Sequence, residues 1–182
     1  MKTAIITKKA DGYYVSFSLE DKSVPSLIPK NNIKTAVGID LGLKEFLTTN
    51  TGETVSVPKF YRKSQSNLAR KQKKVSRKEI GSNNWRAAQN RIARLHQHIA
   101  RQREDSHLKT AHKLVKEYDL IAVEDLNIKG LAKNTKLSKS IYDVAWGAFI
   151  EKLNAVAVKR GFHVSRGEWP FARTPSQHIT KL

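Results

Sequence analysis

The chain contains 182 residues, of which 34 are Lys or Arg and 16 are Asp or Glu, giving a formal net charge of +18. This length allows one sizeable domain with an appendage and excludes two full globular domains, while a charge so far from zero indicates a polyanionic partner, most commonly nucleic acid. No segment approaches the ~20 apolar residues of a membrane-spanning helix and the opening residues lack the pattern of an export signal, so we expect a cytoplasmic protein without a membrane partner.

The sequence contains no cysteine and six histidines. Without cysteine there is no disulfide framework, no thiolate nucleophile and no Cys-based zinc site, so zinc is not an expected cofactor. The spacings of His96 from His98 and of His107 from His112 do not place two metal ligands on one helix face. We therefore interpret the histidines as solvated or directed toward nucleic acid.

The first elements of the chain predict an appended unit. Residues 3–7 and 12–19 have the composition of two short strands, and a glycine supplies the turn between them, which predicts a β-hairpin. Residues 22–34 contain two prolines and two asparagines without periodicity, as a linker does. We therefore expect one unit at 1–33 and the main core at 34–165.

The core begins with the apolar run 35–40 (TAVGID), and two further strand segments on either side of an Asn-Thr-Gly turn complete a predicted three-stranded meander. The run 120–125 (LIAVED) is apolar up to its acids, which indicates a central parallel strand buried on both faces, beside the first. A helix is predicted over 140–160, with a glycine stop and a further strand after it. Residues 166–182 have no clear period and predict an irregular tail.

Between these strands, residues 59–117 predict a long helical hairpin. The Gly-Ser-Asn sequence at 81–83 divides two helices, as a helix end followed by an N-cap does. In the second helix, apolar residues recur every three or four positions up to Ile99. A second apolar run, from Leu108, is out of phase with the first, so we expect a kink or break between them.

The same insertion carries 17 Lys or Arg residues against three acids between residues 59 and 116. Phosphate contact best explains this excess, although about half of these cations are expected to be ordinary solvated side chains. The candidates for nucleic-acid contact are Lys71, Lys73, Lys74, Arg77, Lys78, Arg91 and Arg94.

Two acids form the sharpest candidate site. Asp40 and Glu124 each stand at the end of a predicted strand, and on neighbouring strands their carboxylates would converge. Converging carboxylates repel each other unless a cation lies between them, and hard oxygen ligands suit Mg²⁺ or Mn²⁺. Two such ions, ~3.5–4 Å apart, assist phosphodiester hydrolysis. Either acid alone could be an ordinary strand-end residue, but their order on both sides of a basic insertion favours a metal site.

The chain resembles the RuvC-like, RNase H-fold part of the transposon-encoded TnpB (OrfB) family, which is related to the type V CRISPR effector nucleases. The resemblance covers roughly residues 34–165. Its carriers are VGIDLGLKEFLTTNTGE (37–53), NLARKQKKVSRKEIGSNNWRAAQNRIARLHQHIARQRED (67–105), HKLVKEYDLIAVEDLNIKGL (112–131) and SKSIYDVAWGAFIEKL (138–153). It implies an α/β fold with an RNase H-like (RuvC-like) mixed sheet and a long basic helical hairpin insertion. The preceding β-hairpin resembles the last strands of the family's nucleic-acid-binding barrel.

The resemblance further implies an RNA-guided, metal-dependent DNA endonuclease associated with transposition. In such an enzyme Asp40 and Glu124 ligate Mg²⁺ or Mn²⁺ and basic surfaces hold guide RNA and target DNA. Family members also carry a Cys-rich zinc-binding segment followed by a third catalytic Asp, and neither has a counterpart in this sequence. Glu168 and Asp143 do not fall in a matching motif, and Asp143 is interpreted as structural. We therefore expect a chain truncated at both ends relative to the family, weakly active or inactive by itself.

Two alternatives stay open. The chain could be a nuclease-dead RNA- or DNA-binding protein with a regulatory or accessory role, in which the acids are vestigial, although the presence of both Asp40 and Glu124 counts against this. It could also be a decayed gene product without a stable fold, which a cooperative thermal transition would exclude.

Overall fold

The first two strands form a hairpin separate from the main sheet. They are β1, Thr3–Lys9, and β2, Gly12–Ser18, paired antiparallel along their whole length. The structure is a computed structural model that describes residues 3–133 and 135–167. Of the tail predicted at 166–182, Arg166 belongs to a strand and 168–182 lie outside the described residues.

Apolar runs form the main sheet. Its strands are β3 Ala36–Asp40, β4 Glu45–Thr49, β5 Thr54–Ser56, β6 Leu120–Val123 and β7 His163–Arg166. Their order is β5-β4-β3-β6-β7, in which β3, β4 and β5 run antiparallel and β3, β6 and β7 run parallel. Every residue of β6 is buried, as a central parallel strand requires. The meander, the parallel neighbour of β3 and the mixed α/β architecture are thus confirmed.

Helices cover the sheet and extend from it. They are α1 Phe60–Val75, α2 Asn83–Glu117, α3 Ile128–Ala132, α4 Thr135–Val144 and α5 Trp146–Val158. The helical hairpin of α1 and α2 is divided as predicted: Gly81 has φ +86°, and the Ser82 hydroxyl accepts a hydrogen bond from the Trp85 N–H at 3.1 Å. None of the described helices is long and apolar enough to span a membrane.

Helix α2 is uninterrupted, so the predicted break between Ile99 and Leu108 is wrong. Arg103 and His107 occupy the core-facing positions after Ile99, at spacings of four residues, and His107 is only 3% exposed. Because the apolar parts of these two side chains continue the buried stripe, the helix keeps its packing without a break. The interpretation of the histidines as solvated or facing nucleic acid is therefore wrong for His107.

The single helix predicted over 140–160 is in fact two helices. Ala145 separates α4 from α5 and has φ 53° and ψ 53°, a left-handed conformation that non-glycine residues rarely adopt. This conformation costs about 1–2 kcal/mol for an L-residue. The sequence carries no glycine at this position to indicate the turn.

Side chains from α2 satisfy the carbonyl groups at this helix end. The Arg103 Nε–H donates to the Asp143 carbonyl at 2.8 Å, and the His107 Nε2 lies 3.1 Å from the Val144 carbonyl. A carbonyl oxygen can only accept, so Nε2 carries the proton and Nδ1, which is buried, lacks a partner among the described atoms. The two bonds help to offset the strain at Ala145.

The Asp143 carboxylate joins the same corner to α1. It is 6% exposed, and it accepts hydrogen bonds from the Tyr61 N–H at 3.0 Å and the Arg62 N–H at 3.3 Å, where α1 begins. The guanidinium of Arg103 lies 3.6 Å from the same carboxylate. The interpretation of Asp143 as a structural residue is confirmed, since the side chain serves as the N-terminal cap of a neighbouring helix.

The core lies between the sheet, α2 and α5. Phe46 from β4 stacks on His107 with ring centroids 5.3 Å apart, and Phe149 from α5 meets Phe46 edge to face at 4.9 Å. Phe149 is fully buried. Burial and the approach of the Arg103 guanidinium lower the pKa of His107 to about 4, with burial as the larger cause and the bond to Val144 opposing it.

We predict that Asp143→Ala destabilises the fold strongly. The substitution removes two caps from α1 and leaves Arg103 without its buried partner, so the free energy of unfolding should fall by roughly 3 kcal/mol, measured by chemical denaturation. Asp105→Ala is the matched control, because its ion pair with Lys109 is exposed and should contribute less than about 0.5 kcal/mol. Equal losses in the two variants would contradict the role of Asp143.

We also predict a pH dependence of stability that originates at His107. In the unfolded chain, His107 binds a proton below its ordinary pKa of 6.5, whereas in the folded protein it binds a proton only near pH 4. Stability is therefore complete above pH 6.5 and falls by roughly 3 kcal/mol as the pH drops toward 4. Unfolding measured across this range should show a flatter profile in His107→Gln, whereas the exposed-site control His96→Gln should follow the wild type.

Candidate active site and nucleic-acid interface

The parallel pairing of β3 and β6 brings Asp40 and Glu124 to one edge of the sheet. Ile39 is the register partner of Val123, so the next residue on each strand projects from the same carboxyl edge. The two acids come from segments more than eighty residues apart and meet because both strands are apolar enough to lie at the centre of the sheet. Both residues are exposed to solvent.

The two carboxyl groups interact directly. A hydrogen bond with Asp40 raises the pKa of Glu124, and partial burial and the negative charge of Asp40 raise it further. A hydrogen bond between two carboxyl groups requires a proton on one of them, because two carboxylates are acceptors only. At low pH the pair therefore shares a proton, and at higher pH it concentrates negative charge at this edge.

The acids line an open cleft of about 470 Å³. Its other walls come from β4, from β6 and from the turn after β7; the lining residues are Gly38, Ile39, Thr48, Thr49, Asn50, Ala122, Val123 and Gly167. Asn50 fixes the wall beside β3, since its side-chain oxygen accepts from the Gly38 N–H at 3.2 Å and its own N–H donates to the Gly38 carbonyl at 2.9 Å. Across residues 3–133 and 135–167, no group of three or more His, Asp or Glu side chains could hold a metal ion.

The donor chemistry of this pair fits a hard divalent cation. Mg²⁺ is commonly held by one or two carboxylates together with water and substrate phosphates rather than by an all-protein cage. Asp40 and Glu124 supply two such carboxylates at the mouth of a cleft that is open to a substrate. A cation between them would also relieve the repulsion that raises the pKa of Glu124.

Five of the seven predicted nucleic-acid contacts line one groove between α1 and α2, with a volume of about 480 Å³. They are Lys71, Lys74, Arg77, Lys78 and Arg91. Lys73 is exposed outside this groove, and Arg94 points its Nε–H to the Ala10 carbonyl at 3.1 Å, in the turn of the β-hairpin. The prediction from sequence missed Arg70, which also lines the groove and lies one helical turn before Lys74, a spacing that could have identified it.

The β-hairpin is held on α2 by polar contacts next to Arg94. The Asp11 carboxylate accepts a hydrogen bond from Gln97 Nε2 at 2.6 Å and pairs with Arg101 Nη1 at 2.8 Å. The Arg101 guanidinium also donates to the Tyr14 hydroxyl. Arg94 therefore belongs to the contact between the β-hairpin and α2. Glu168, the remaining acid considered from the sequence, lies outside the described residues.

Comparison with known protein families shows the family to which the chain belongs. The model of the family OrfB_IS605, described as a probable transposase, matches residues 15–135, a span that contains both acids and both basic helices. The chain belongs to this OrfB (TnpB) family. The resemblance found in the sequence motifs is thereby confirmed.

Two relatives of this OrfB family member carry endonuclease names. The chain is 38% identical over 138 residues to a protein of Streptomyces pristinaespiralis named "Putative RNA-guided DNA endonuclease", and 27% identical over 179 residues to "Putative RNA-guided DNA endonuclease InsQ" of Escherichia coli (strain K12). It is 23% identical over 158 residues to "TnpB-like protein L79" of Acanthamoeba polyphaga mimivirus. These alignments cover 76%, 90% and 78% of the chain but 33%, 44% and 30% of the relatives, so the chain spans less than half of their length.

We predict that Asp40→Asn lowers the pKa of Glu124 toward its ordinary value. The substitution removes the negative charge and the shared proton that favour the protonated form of Glu124. The pKa can be measured from the side-chain carboxyl ¹³C shift as a function of pH. Asp125→Asn, which neutralises the residue after Glu124, is the matched control and should leave the pKa of Glu124 raised. If the pKa of Glu124 were unchanged in Asp40→Asn, the pairing of the two acids would be disproved.

Proposed function

We propose that this chain is the nuclease core region of a TnpB-like RNA-guided DNA endonuclease, with an RNase H-like sheet. The single observation that carries the proposal is the pairing of Asp40 and Glu124 at the carboxyl edge of β3 and β6. The mixed sheet, in which an antiparallel meander continues into two parallel strands, supports the RNase H-like assignment. The names of the relatives supply the class of reaction and the two partners, DNA and RNA.

In the proposed reaction, Asp40 and Glu124 hold Mg²⁺ or Mn²⁺. When bound, such a cation makes water a stronger nucleophile and stabilises the charge on the leaving oxygen of a phosphodiester. The chain's own residues supply the negative charge that attracts the cation. Because protons compete for the Glu124 carboxylate, occupancy should fall as the pH drops through its raised pKa.

The proposed activity of this chain by itself is weak. Two carboxylates meet in the described residues, whereas efficient two-ion hydrolysis depends on a more complete set of ligands held in fixed positions. Water molecules and substrate phosphate would have to supply the other positions around a cation. We expect weak cation binding and slow cleavage.

The basic helices provide the proposed nucleic-acid surface. The excess of positive charge between residues 59 and 116 attracts phosphates of either partner without regard to sequence. This long-range attraction raises the local concentration of a polyanion around the protein. The acids would otherwise repel phosphate, so cations on the helices and a metal ion at the cleft are both needed.

We predict that Asp40→Ala and Glu124→Ala each lower Mn²⁺ affinity by at least about tenfold, because one of two ligands is lost. Isothermal titration measures the affinity, and slow Mn²⁺-dependent nicking of supercoiled DNA, with and without guide RNA, measures the activity. Both should be lost together in these variants.

Asp125→Asn is the control, since it removes a neighbouring negative charge and leaves both proposed ligands in place. Metal uptake that is the same in the wild type and Asp40→Ala would refute the assigned site. Fast cleavage that depends on Asp40 would refute only the claim of weak activity.

A further inference from the structure

The groove between α1 and α2 concentrates cations without any acid. Its lining consists of Asn67, Arg70, Lys71, Lys74, Arg77, Lys78, Ala88 and Arg91. Six of these eight side chains are cationic, and the small buried Ala88 leaves room between the helices. The cations come from α1, from the turn and from α2, so they surround the groove from both sides.

Five cations elsewhere in the described residues pair with carboxylates. Arg101 pairs with Asp11, Lys113 with Glu53 at 3.0 Å, and Lys152 with Glu104 at 2.8 Å; Arg103 and Lys109 are paired as well. None of the six groove cations takes part in an ion pair among the residues that the structure describes. The paired Arg101 lies at the β-hairpin and the paired Arg103 lies beside the buried Asp143, whereas the six groove cations lie toward the tip of the helical hairpin.

The groove cations also repel one another. Arg70 and Lys74 are four residues apart in α1, which places like charges on adjacent helical turns, and Lys78 lies in the turn beyond the end of α1. Such pairs destabilise a helix by a few tenths of a kcal/mol each, and carboxylates at alternate positions would have removed the penalty. A cluster that opposes folding slightly and has no carboxylate in its lining favours the binding of an external polyanion.

We propose that this groove binds the sugar–phosphate backbone of a single nucleic-acid strand. Arg70, Lys71 and Lys74 lie on the last two turns of α1, and Arg77 and Lys78 lie in the turn that follows, so these cations succeed one another along the groove and can contact successive phosphates of one strand. Cations on both walls can contact one backbone from two sides, whereas a duplex presents a wide cylinder that meets only the rim. A groove of about 480 Å³ is likewise sized for part of one strand.

This inference rests on the proposed function for the existence of a nucleic-acid partner, and it goes further by assigning the contact to six residues. It includes Arg70, which the prediction from sequence missed, and it excludes Lys73 and Arg94. Lys73 lies outside the groove lining, and the guanidinium of Arg94 is bound to the β-hairpin.

The test compares two double variants of equal charge. Lys74→Gln with Arg91→Gln removes one groove cation from each helix, and Lys73→Gln with Arg86→Gln removes one exposed cation from each helix outside the groove. Binding of a fluorescent oligothymidylate of about 12 nucleotides is measured by anisotropy in EDTA, from about 50 to 200 mM salt, beside a duplex of equal length.

The groove variant should bind the single strand at least about tenfold more weakly. The slope of log affinity against log salt should also become shallower by about 1.4, because each of the two lost phosphate contacts contributes ~0.7. The outside variant should lose less than about threefold. The inference would be overturned if the two variants lost the same amount of affinity for the single strand. It would also be overturned if the duplex bound the wild type as tightly as the single strand does and lost as much affinity in the groove variant. Absence of any binding by the wild type would instead reject the proposed nucleic-acid function, whereas metal uptake through Asp40 tests the catalytic part separately.

Discussion

The buried carboxylate of Asp143 fixes how the basic helices stand on the sheet. It caps the start of α1, lies beside Arg103 of α2 and belongs to the last turn of α4, so one side chain connects three helices. Arg103 and His107 then complete the helix end that Asp143 begins, by bonding the carbonyl groups of Asp143 and Val144. A buried acid in this position is stable only while every one of these partners is present. The corner therefore behaves as one unit.

That corner has consequences on both sides of the molecule. The left-handed turn at Ala145 directs α5 back under the sheet, where Phe149 closes the core against Phe46. On the other side, the capped start of α1 sets the line along which α1 packs on α2. The same corner therefore fixes both the start of α1 and the helix end that precedes α5.

In the helical hairpin, some charged side chains stabilise the fold and others are available to bind a polyanion. Near the core, charged side chains of α2 hold the β-hairpin, α4 and α5 in place: cations of α2 contact the β-hairpin and α4, and Glu104 of α2 pairs with Lys152 of α5. Toward the tip, the cations are left without acids and oppose folding slightly. The acid pair at the sheet edge is the negative counterpart of this arrangement: the hydrogen bond with Asp40, desolvation and the charge of Asp40 raise the pKa of Glu124, and a bound cation would relieve the repulsion between the two acids.

The sequence by itself determined the elements whose signals are local or periodic. Apolar runs ending in Asp40 and Glu124 were sufficient to predict neighbouring parallel strands, because a strand buried on both faces must lie at the centre of a sheet. The Ser82 cap and the excess of basic residues in the helical hairpin could also be predicted from the sequence. Only the tertiary structure decided that α2 is continuous, that a helix breaks at Ala145, and which lysines face the groove. Those features depend on polar side chains such as Arg103 and His107 that find partners distant in sequence, and the contacts that make their burial favourable exist only once the helices have packed.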